Sequence, residues 1–562
     1  MDRNCDAFIR SNNTYDILIA RESLEISDDR AECIQNIGEK FVAEYFDRDE
    51  VPQLSIKTYG YSIIPKCFGL LDTLALETTG ILQLQNQPAL SLRGIFIGFV
   101  DTGISYELPC FRNADGSTRI RSIWDQSIPA GEKNTPQGFL YGTEYTQKEI
   151  NEALEQEHPR ELVPVTDEDG HGTMLASIAC GSEDLQAGFT GAAPYAELLV
   201  VKLKPAKPYL KDFFYIPQEM PAYQENDIMA AIEYLEETAR KLGRPLILCL
   251  GLGTNNGSHS GGSNLSELLD DIAGRWRRCA VVATGNEANA RHHFYGKSDG
   301  NSMVVVEVNV EQRMRGFYLE LWASAPELFV VAVRSPGGTL MPAQNVPGNS
   351  HQEQEFIFEG TRVEIDYAQV GRTRGDQLVF IRFENPAAGI WTLYVNPSTT
   401  ITGQFHIWLP MSGMLEKDVV FLRPDPDVTL TVPSSAKIPI GVGGMDQKSG
   451  ILYLDSGRGN TIASVVKPDF VAPAVGVQAI GRLGNYVTLT GTSAASAIAA
   501  GACAQIMEWG NSRGRRLLLN SVQIGNILIR GCERNPDVSY PNTAWGYGKM
   551  NVYDALMKFY GV

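Results

Sequence analysis

The chain has 562 residues, 43% hydrophobic and 20% charged, which describes a folded globular protein too long for one ordinary core. Its 66 acidic against 48 basic residues give a formal net charge of −18, which argues against nucleic acid or an anionic membrane surface as partner. No apolar run reaches the roughly 18 residues of a membrane span. The polar start Met1-Asp2-Arg3-Asn4-Cys5-Asp6 does not read as a secretory signal, so synthesis in the cytoplasm is expected. The nine cysteines (5, 33, 67, 110, 180, 249, 279, 503 and 532) include no Cys-x-x-Cys pair, and four lie in apolar segments. Reduced core thiols are therefore expected. No Asp/Asn cluster has metal-loop spacing, and neither a metal nor a cofactor is expected.

In chain order, Tyr15–Ala20 reads as a strand, Ala31–Ala43 as a helix, and Leu54–Tyr59 and Tyr61–Ile64 as strands. These make a small α/β unit over residues 1–78. From Gly94 buried strands alternate with helices, the pattern of a doubly wound parallel sheet. The strand Ile95–Val100 ends in Asp101-Thr102-Gly103, and a helix opens at Gly170-His171-Gly172-Thr173. Ala196–Lys202 is a strand, Asn226–Leu235 a helix, and the strand Pro245–Leu250 runs into Gly251-Leu252-Gly253. The strand starting at Cys279 runs into Thr284-Gly285-Asn286. Strands of this kind are covered on both faces and ligands collect beyond their C-terminal ends, which makes Asp101 a candidate.

Residues 300–428 break this rhythm with about eight short alternating strands, from Met303–Val310 to Phe405–Leu409, indicating an antiparallel sandwich or jelly roll. The α/β pattern resumes near Lys437–Val442, so the sandwich is inserted between residues 79–299 and 429–562 of one unit. There Gly484–Thr490 reads as a turn and strand, Gly491-Thr492-Ser493 as a helix start, and Ala494–Gly510 as a helix of small and apolar residues fit only for burial. Each motif alone has an ordinary reading: Ser493 as a helix cap, His171 as a surface residue at a helix start, Asp-Thr-Gly as a turn.

Together they supply the parts of an acyl-transfer site. Such a site needs a nucleophile, a base, a carboxylate that fixes the base's tautomer, and donors for the oxyanion. With Asp101, His171, Asn286 and Ser493 in that order, the chain resembles the subtilisin-type (S8) serine peptidases over most of residues 90–555 outside the insert. The blocks Val-Asp-Thr-Gly-Ile104, Gly-His-Gly-Thr173, Gly-Asn286 and Gly-Thr-Ser-Ala494 carry the resemblance, supported by Ser456-Gly-Arg-Gly459 and Lys467–Pro473. It implies Ser493 as nucleophile, His171 as general base and acid, Asp101 as its orienting carboxylate, and Asn286 with the Ser493 N–H as oxyanion donors. It further implies that Gly251, Leu252 and Gly253 pair with extended substrate and that Thr284 and Gly285 border the pocket. Met174 and Ala497 stand where the family has a His and a Pro.

Residues 1–78 resemble the family's propeptide, which templates folding and is often clipped by the enzyme itself; Cys67–Glu77 is the expected clipping region. The missing signal, the Pro-less serine block and the sandwich between the Asn and Ser blocks resemble the Csp germination proteases of clostridial spores. That likeness implies a protein substrate, the zymogen of a cortex-lytic hydrolase, a prodomain retained non-covalently after cleavage, and incorporation into the spore. Some of those relatives have lost triad residues, so a silent or prodomain-blocked pseudoprotease acting as a germination sensor is the alternative. A third idea is that Trp322, Trp391 or Trp408 of the sandwich binds carbohydrate.

Overall fold

The computed structural model describes residues 5–21, 31–70, 79, 81, 94–130, 135–344, 350–370, 375–511 and 517–560. Eight strands form the central sheet: β1 (Phe96–Asp101), β2 (Ile120–Asp125), β3 (Thr143–Thr146), β4 (Glu197–Lys202), β5 (Leu246–Leu250), β6 (Arg278–Ala283), β7 (Ile440–Met445) and β8 (Phe470–Pro473). Their spatial order is β8-β7-β6-β5-β1-β4-β2-β3. Every neighbouring pair is parallel except β2 with β3. The chain winds one way from β1 and the other way from β5, so these adjacent strands flank the switch point. A crevice opens there, beyond their C-terminal ends.

Helices cover both faces. In β5, Ile247 and Cys249 join α1 (His171–Cys180) and α4 (Thr492–Asn511) in one core; Leu246, Leu248 and Leu250 join α2 (Glu225–Lys241) and α3 (Asn264–Gly274) in the other. This two-sided burial is why the strands are apolar throughout rather than alternating. Helix α4 is buried over nearly its whole length, which its Ala and Gly residues permit by letting neighbours approach closely. A Cβ on Gly501 would stand 2.3 Å from that of Ala192.

The N-terminal unit departs from expectation. The helix expected over Ala31–Ala43 is a hairpin of Cys33–Ile37 and Phe41–Asp47, with Phe41–Asp47 also pairing Thr14–Ala20. Cys33, Gln35 and Ile37 point inward while Ile34 and Asn36 are exposed, so a period of two governs this segment. Gly38, at φ +56°, turns the chain between the strands. Leu54–Tyr59 and Tyr61–Ile64 are not strands either: Ile56–Tyr59 is one helical turn capped by Ser55, and Tyr61–Ile63 is a short 3-10 helix. Cys5 and Cys33 form a disulfide, correcting the expectation that all cysteines are reduced; the hairpin, invisible in the spacing, brings them together. The other seven are free and buried.

Between β6 and β7 the chain builds two antiparallel sheets of six and five strands, the first starting at His293. They share one core that includes Val306, Phe317, Leu319 and Trp391. Trp322 and Trp408 lie in a further cluster with Tyr61, Tyr209 and Met411, where this unit meets the rest of the chain. All three tryptophans are buried, and none is presented to a glycan. Among the described residues no helix is long and apolar enough to cross a membrane.

Candidate active site

Three distant side chains meet at the switch-point crevice. Asp101 closes β1, and its carboxylate lies 2.8 and 3.0 Å from His171 Nδ1. The other ring nitrogen, Nε2, stands 3.3 Å from Ser493 Oγ. A proton on Nδ1 facing the carboxylate leaves Nε2 as acceptor for the serine hydroxyl, the tautomer a general base needs. All three side chains are buried, which strengthens these polar contacts relative to water.

Glycines flank the histidine for steric reasons. Gly170 holds φ +94° at the start of α1, and a Cβ on Gly172 would fall 2.2 Å from the Gly103 carbonyl oxygen. Glycine at 172 thus lets helix α1 press against the end of β1, bringing His171 to Asp101. The start of α1 is fastened by Asp167, a residue the motif reading passed over. Its Oδ1 accepts the Gly170 N–H at 2.8 Å and the Thr102 hydroxyl at 2.7 Å. Its Oδ2 accepts the Thr173 N–H at 2.8 Å and the Thr173 hydroxyl at 2.6 Å. Thr102 in turn accepts the Gly172 N–H at 2.9 Å, while its own N–H donates to Asp101 at 2.8 Å. One buried carboxylate therefore ties the aspartate block to the histidine block. An acidic residue just ahead of a helix start was the available signal, since free N–H groups there favour negative charge.

Ser493 sits in the first turn of α4, where backbone N–H groups are unpaired within the helix. Its predecessor Thr492, which the motif reading left without a task, grips the Asn286 segment at two points. The Gly285 N–H donates to Thr492 Oγ1 at 3.0 Å, and the Thr492 N–H donates to Asn286 Oδ1 at 3.1 Å. With its oxygen engaged, the Asn286 amide has its NH2 end left to donate. Gly285 has φ +91°, and a Cβ there would collide with Thr431 at 2.4 Å. Thr284 is fully buried, its N–H donating to the Val442 carbonyl at 3.2 Å and its carbonyl accepting the Thr431 N–H at 2.9 Å, so it holds this segment from behind.

Gly251 follows β5 directly onto the same spot: a Cβ would lie 3.0 Å from that of Ser493 and 3.1 Å from His171 Cε1. Beyond it, Leu252 and Gly253 pair antiparallel with Leu70 and Gly69. On its other side this N-terminal strand, Cys67–Leu70, pairs Cys67 with Gln224 and Phe68 with Tyr223. The strand thus lies between two edges of the crevice. The remainder of the expected clipping region, residues 71–77, falls outside the described residues. Met174 packs half-buried against the core and Ala497 is fully buried in α4.

The profile of the subtilase family matches residues 92–370 and 423–548. Among solved structures, the CspB protease of Clostridium perfringens is 28% identical, with a TM-score of 0.76 over 86% of this chain and 98% of its own. Among curated proteins, the membrane-bound transcription factor site-1 protease of Mus musculus is 33% identical over 133 residues. That match covers 23% of this chain and 12% of the relative, so the chain spans only a small fraction of that protein's length.

Proposed function

The chain belongs to the subtilase family of serine endopeptidases, and from that premise we propose that it cleaves its own N-terminal segment and then a protein substrate by limited proteolysis. His171, within hydrogen-bond distance of both Asp101 and Ser493, carries this reading. Ser493 Oγ attacks the scissile carbonyl as His171 Nε2 takes its proton. Asp101 holds the imidazole's tautomer and stabilises the imidazolium. The oxyanion is received by the Asn286 amide and the Ser493 N–H. His171 then returns the proton to the leaving amine, and water repeats the sequence to release the acyl group. Gly251, Leu252 and Gly253 align the extended peptide by backbone pairing, with Thr284 and Gly285 behind the oxyanion donor.

The strand Cys67–Leu70, laid along Leu252–Gly253, supports self-processing, because a substrate strand pairs in the same way. Buried polar contacts support retention of the N-terminal unit after cleavage. Asp16 pairs with Lys207 at 2.5 Å, accepts from Gln224 at 2.9 Å, and its N–H donates to Tyr209 at 2.8 Å. Size exclusion tests this retention: the cleaved chain is expected to elute as one body, and separate elution of its two parts overturns it. The likeness to CspB supports a substrate of the cortex-hydrolase zymogen class and a role in spore germination. Its test is incubation of the purified enzyme with such a zymogen, which predicts cleavage at one bond.

The deciding experiment for the chemistry compares intact masses of wild type and Ser493→Ala. Processing within Cys67–Glu77 in wild type only, with fluorophosphonate labelling of Ser493, is the expected result. Two full-length masses without labelling would return the chain to the class of silent binding proteins.

A further inference from the structure

Resting on the endopeptidase reading, we propose that the inserted β-unit forms one wall of the substrate cleft through Met411 and Met414, and that this wall selects substrates with glycine at the residue facing Gly253. The strand already in the cleft carries the observation. Gly69 is the residue opposite Gly253, and a Cβ built on it would meet Met414 Cε at 3.2 Å, Met411 Sδ at 3.5 Å and Met411 Cε at 3.6 Å. A methyl group at 3.2 Å requires the thioether end to shift by a few tenths of an ångström, which a flexible methionine allows. A longer side chain has no such remedy. Both methionines are buried in a cluster with Tyr61, Tyr318 and Trp322, and pushing them aside overpacks that cluster.

The wall is fastened to the catalytic segments themselves. The Ser412 N–H donates to Glu287 Oε1 at 2.9 Å, and Glu287 directly follows Asn286. Asn255, two residues beyond Gly253, donates to the Leu409 carbonyl at 3.1 Å. The Leu409 N–H donates to the His292 carbonyl at 2.9 Å, and His292 Nδ1 lies 2.7 Å from Glu287 Oε2. The turn that carries the methionines is thus held by residues outside the strand that fills the cleft. One residue earlier the strand carries Phe68, fully buried in a cluster with Tyr223, Leu252 and Val432. The substrate class is therefore an extended segment with an aromatic or large apolar residue followed by glycine.

Time courses of self-processing by intact mass, each chain first checked for a wild-type circular dichroism spectrum, test this with four proteins: wild type, Gly69→Ala, Gly69→Leu, and Gly69→Leu combined with Met411→Ala and Met414→Ala. Gly69→Ala is expected to slow processing a few-fold and Gly69→Leu by at least about tenfold, with the combined variant recovering most of that loss. Processing of Gly69→Leu at the wild-type rate overturns the subsite. So does a combined variant no faster than Gly69→Leu, because the obstacle is then not the methionines. A wild-type chain that never processes removes the endopeptidase reading, and the subsite with it.

Discussion

Gly251 and Ser493 approach so closely that the smallest side chain at 251 would stand 3.0 Å from the serine Cβ and 3.1 Å from the histidine ring. The proposed substrate-pairing edge and the proposed nucleophile and base therefore share one contact, and the first prediction tests it. Gly251→Ala is expected to lower the self-processing rate by about 10–100-fold, because a displacement of well under an ångström spoils the attack geometry. The thermal midpoint should move little. Single-turnover processing kinetics beside a melting curve check this.

The second concerns the carboxylate facing His171. Asp101→Asn keeps the shape but presents an amide to Nδ1, favouring the wrong tautomer, and a loss of roughly 10⁴-fold in kcat is expected, by analogy with the same substitution in another serine protease. The check is the rate across pH, where the variant should regain part of its activity at alkaline pH if the imidazole has been left in the wrong protonation state.

Asp167 is predicted to be a positioning residue. Asp167→Ala removes the acceptor for two backbone N–H groups and two hydroxyls, all buried, so a destabilisation of about 3 kcal/mol or more is expected. Asp167→Asn keeps part of that network and should recover most of the denaturation midpoint while processing more slowly than wild type. Urea titration together with processing rates separates the two effects.

Glu320 joins three parts of the chain. Its buried carboxylate accepts the Tyr61 hydroxyl at 2.8 Å, the Gly257 N–H at 2.9 Å, the Trp322 indole N–H at 2.9 Å and the Asn256 amide at 2.5 Å. Glu320→Ala strands these donors, and about 3 kcal/mol of stability should be lost. Because Tyr61 belongs to the N-terminal unit, the processed N-terminal fragment should also dissociate faster, which size exclusion after cleavage measures.

The last prediction is pH dependence from a buried pair of imidazoles. His293 Nε2 lies 2.9 Å from His406 Nδ1, and both rings stack on or near Trp408, with His259, Tyr295 and Asp425 around them. Burial pushes His406 down to about 4 and His293 well below its ordinary value, His293 further disfavoured by the charge on its partner. Above about pH 6.5 these rings are neutral both folded and unfolded, and stability is unaffected. Between about 6.5 and 4 the unfolded chain binds protons that the folded chain does not, so stability falls as pH drops through that window. His406→Asn should flatten the decline in urea midpoint between pH 7 and pH 5 relative to wild type.

Much of the molecule was legible in the sequence. Continuous apolar strands such as Ile97–Val100 and Leu246–Leu250 report burial on both faces, and their alternation with helical segments points to a parallel sheet covered by helices. The glycines flanking His171 and those at 251 and 285 are equally readable; the structure shows a collision at 172 and 285, a positive φ at 170 and 285, and a close approach at 251. The N-terminal hairpin was not readable. Cys33, Ile37 and Phe41 recur at helical spacing by coincidence, and a two-residue period broken by a turn at Gly38 leaves no local trace strong enough to compete. Asp167 and Thr492 also escaped, since their partners lie on other segments.

By itself the sequence indicated the candidate site residues and the run of buried strands alternating with helices, because residue type, chain order and burial pattern are local properties. The Cys5–Cys33 disulfide, the seating of Cys67–Leu70 in the crevice and the methionine wall over Gly69 were decided only by the tertiary structure. Each is a contact between segments far apart in the chain, and such contacts are set by how whole units pack rather than by the residues on either side.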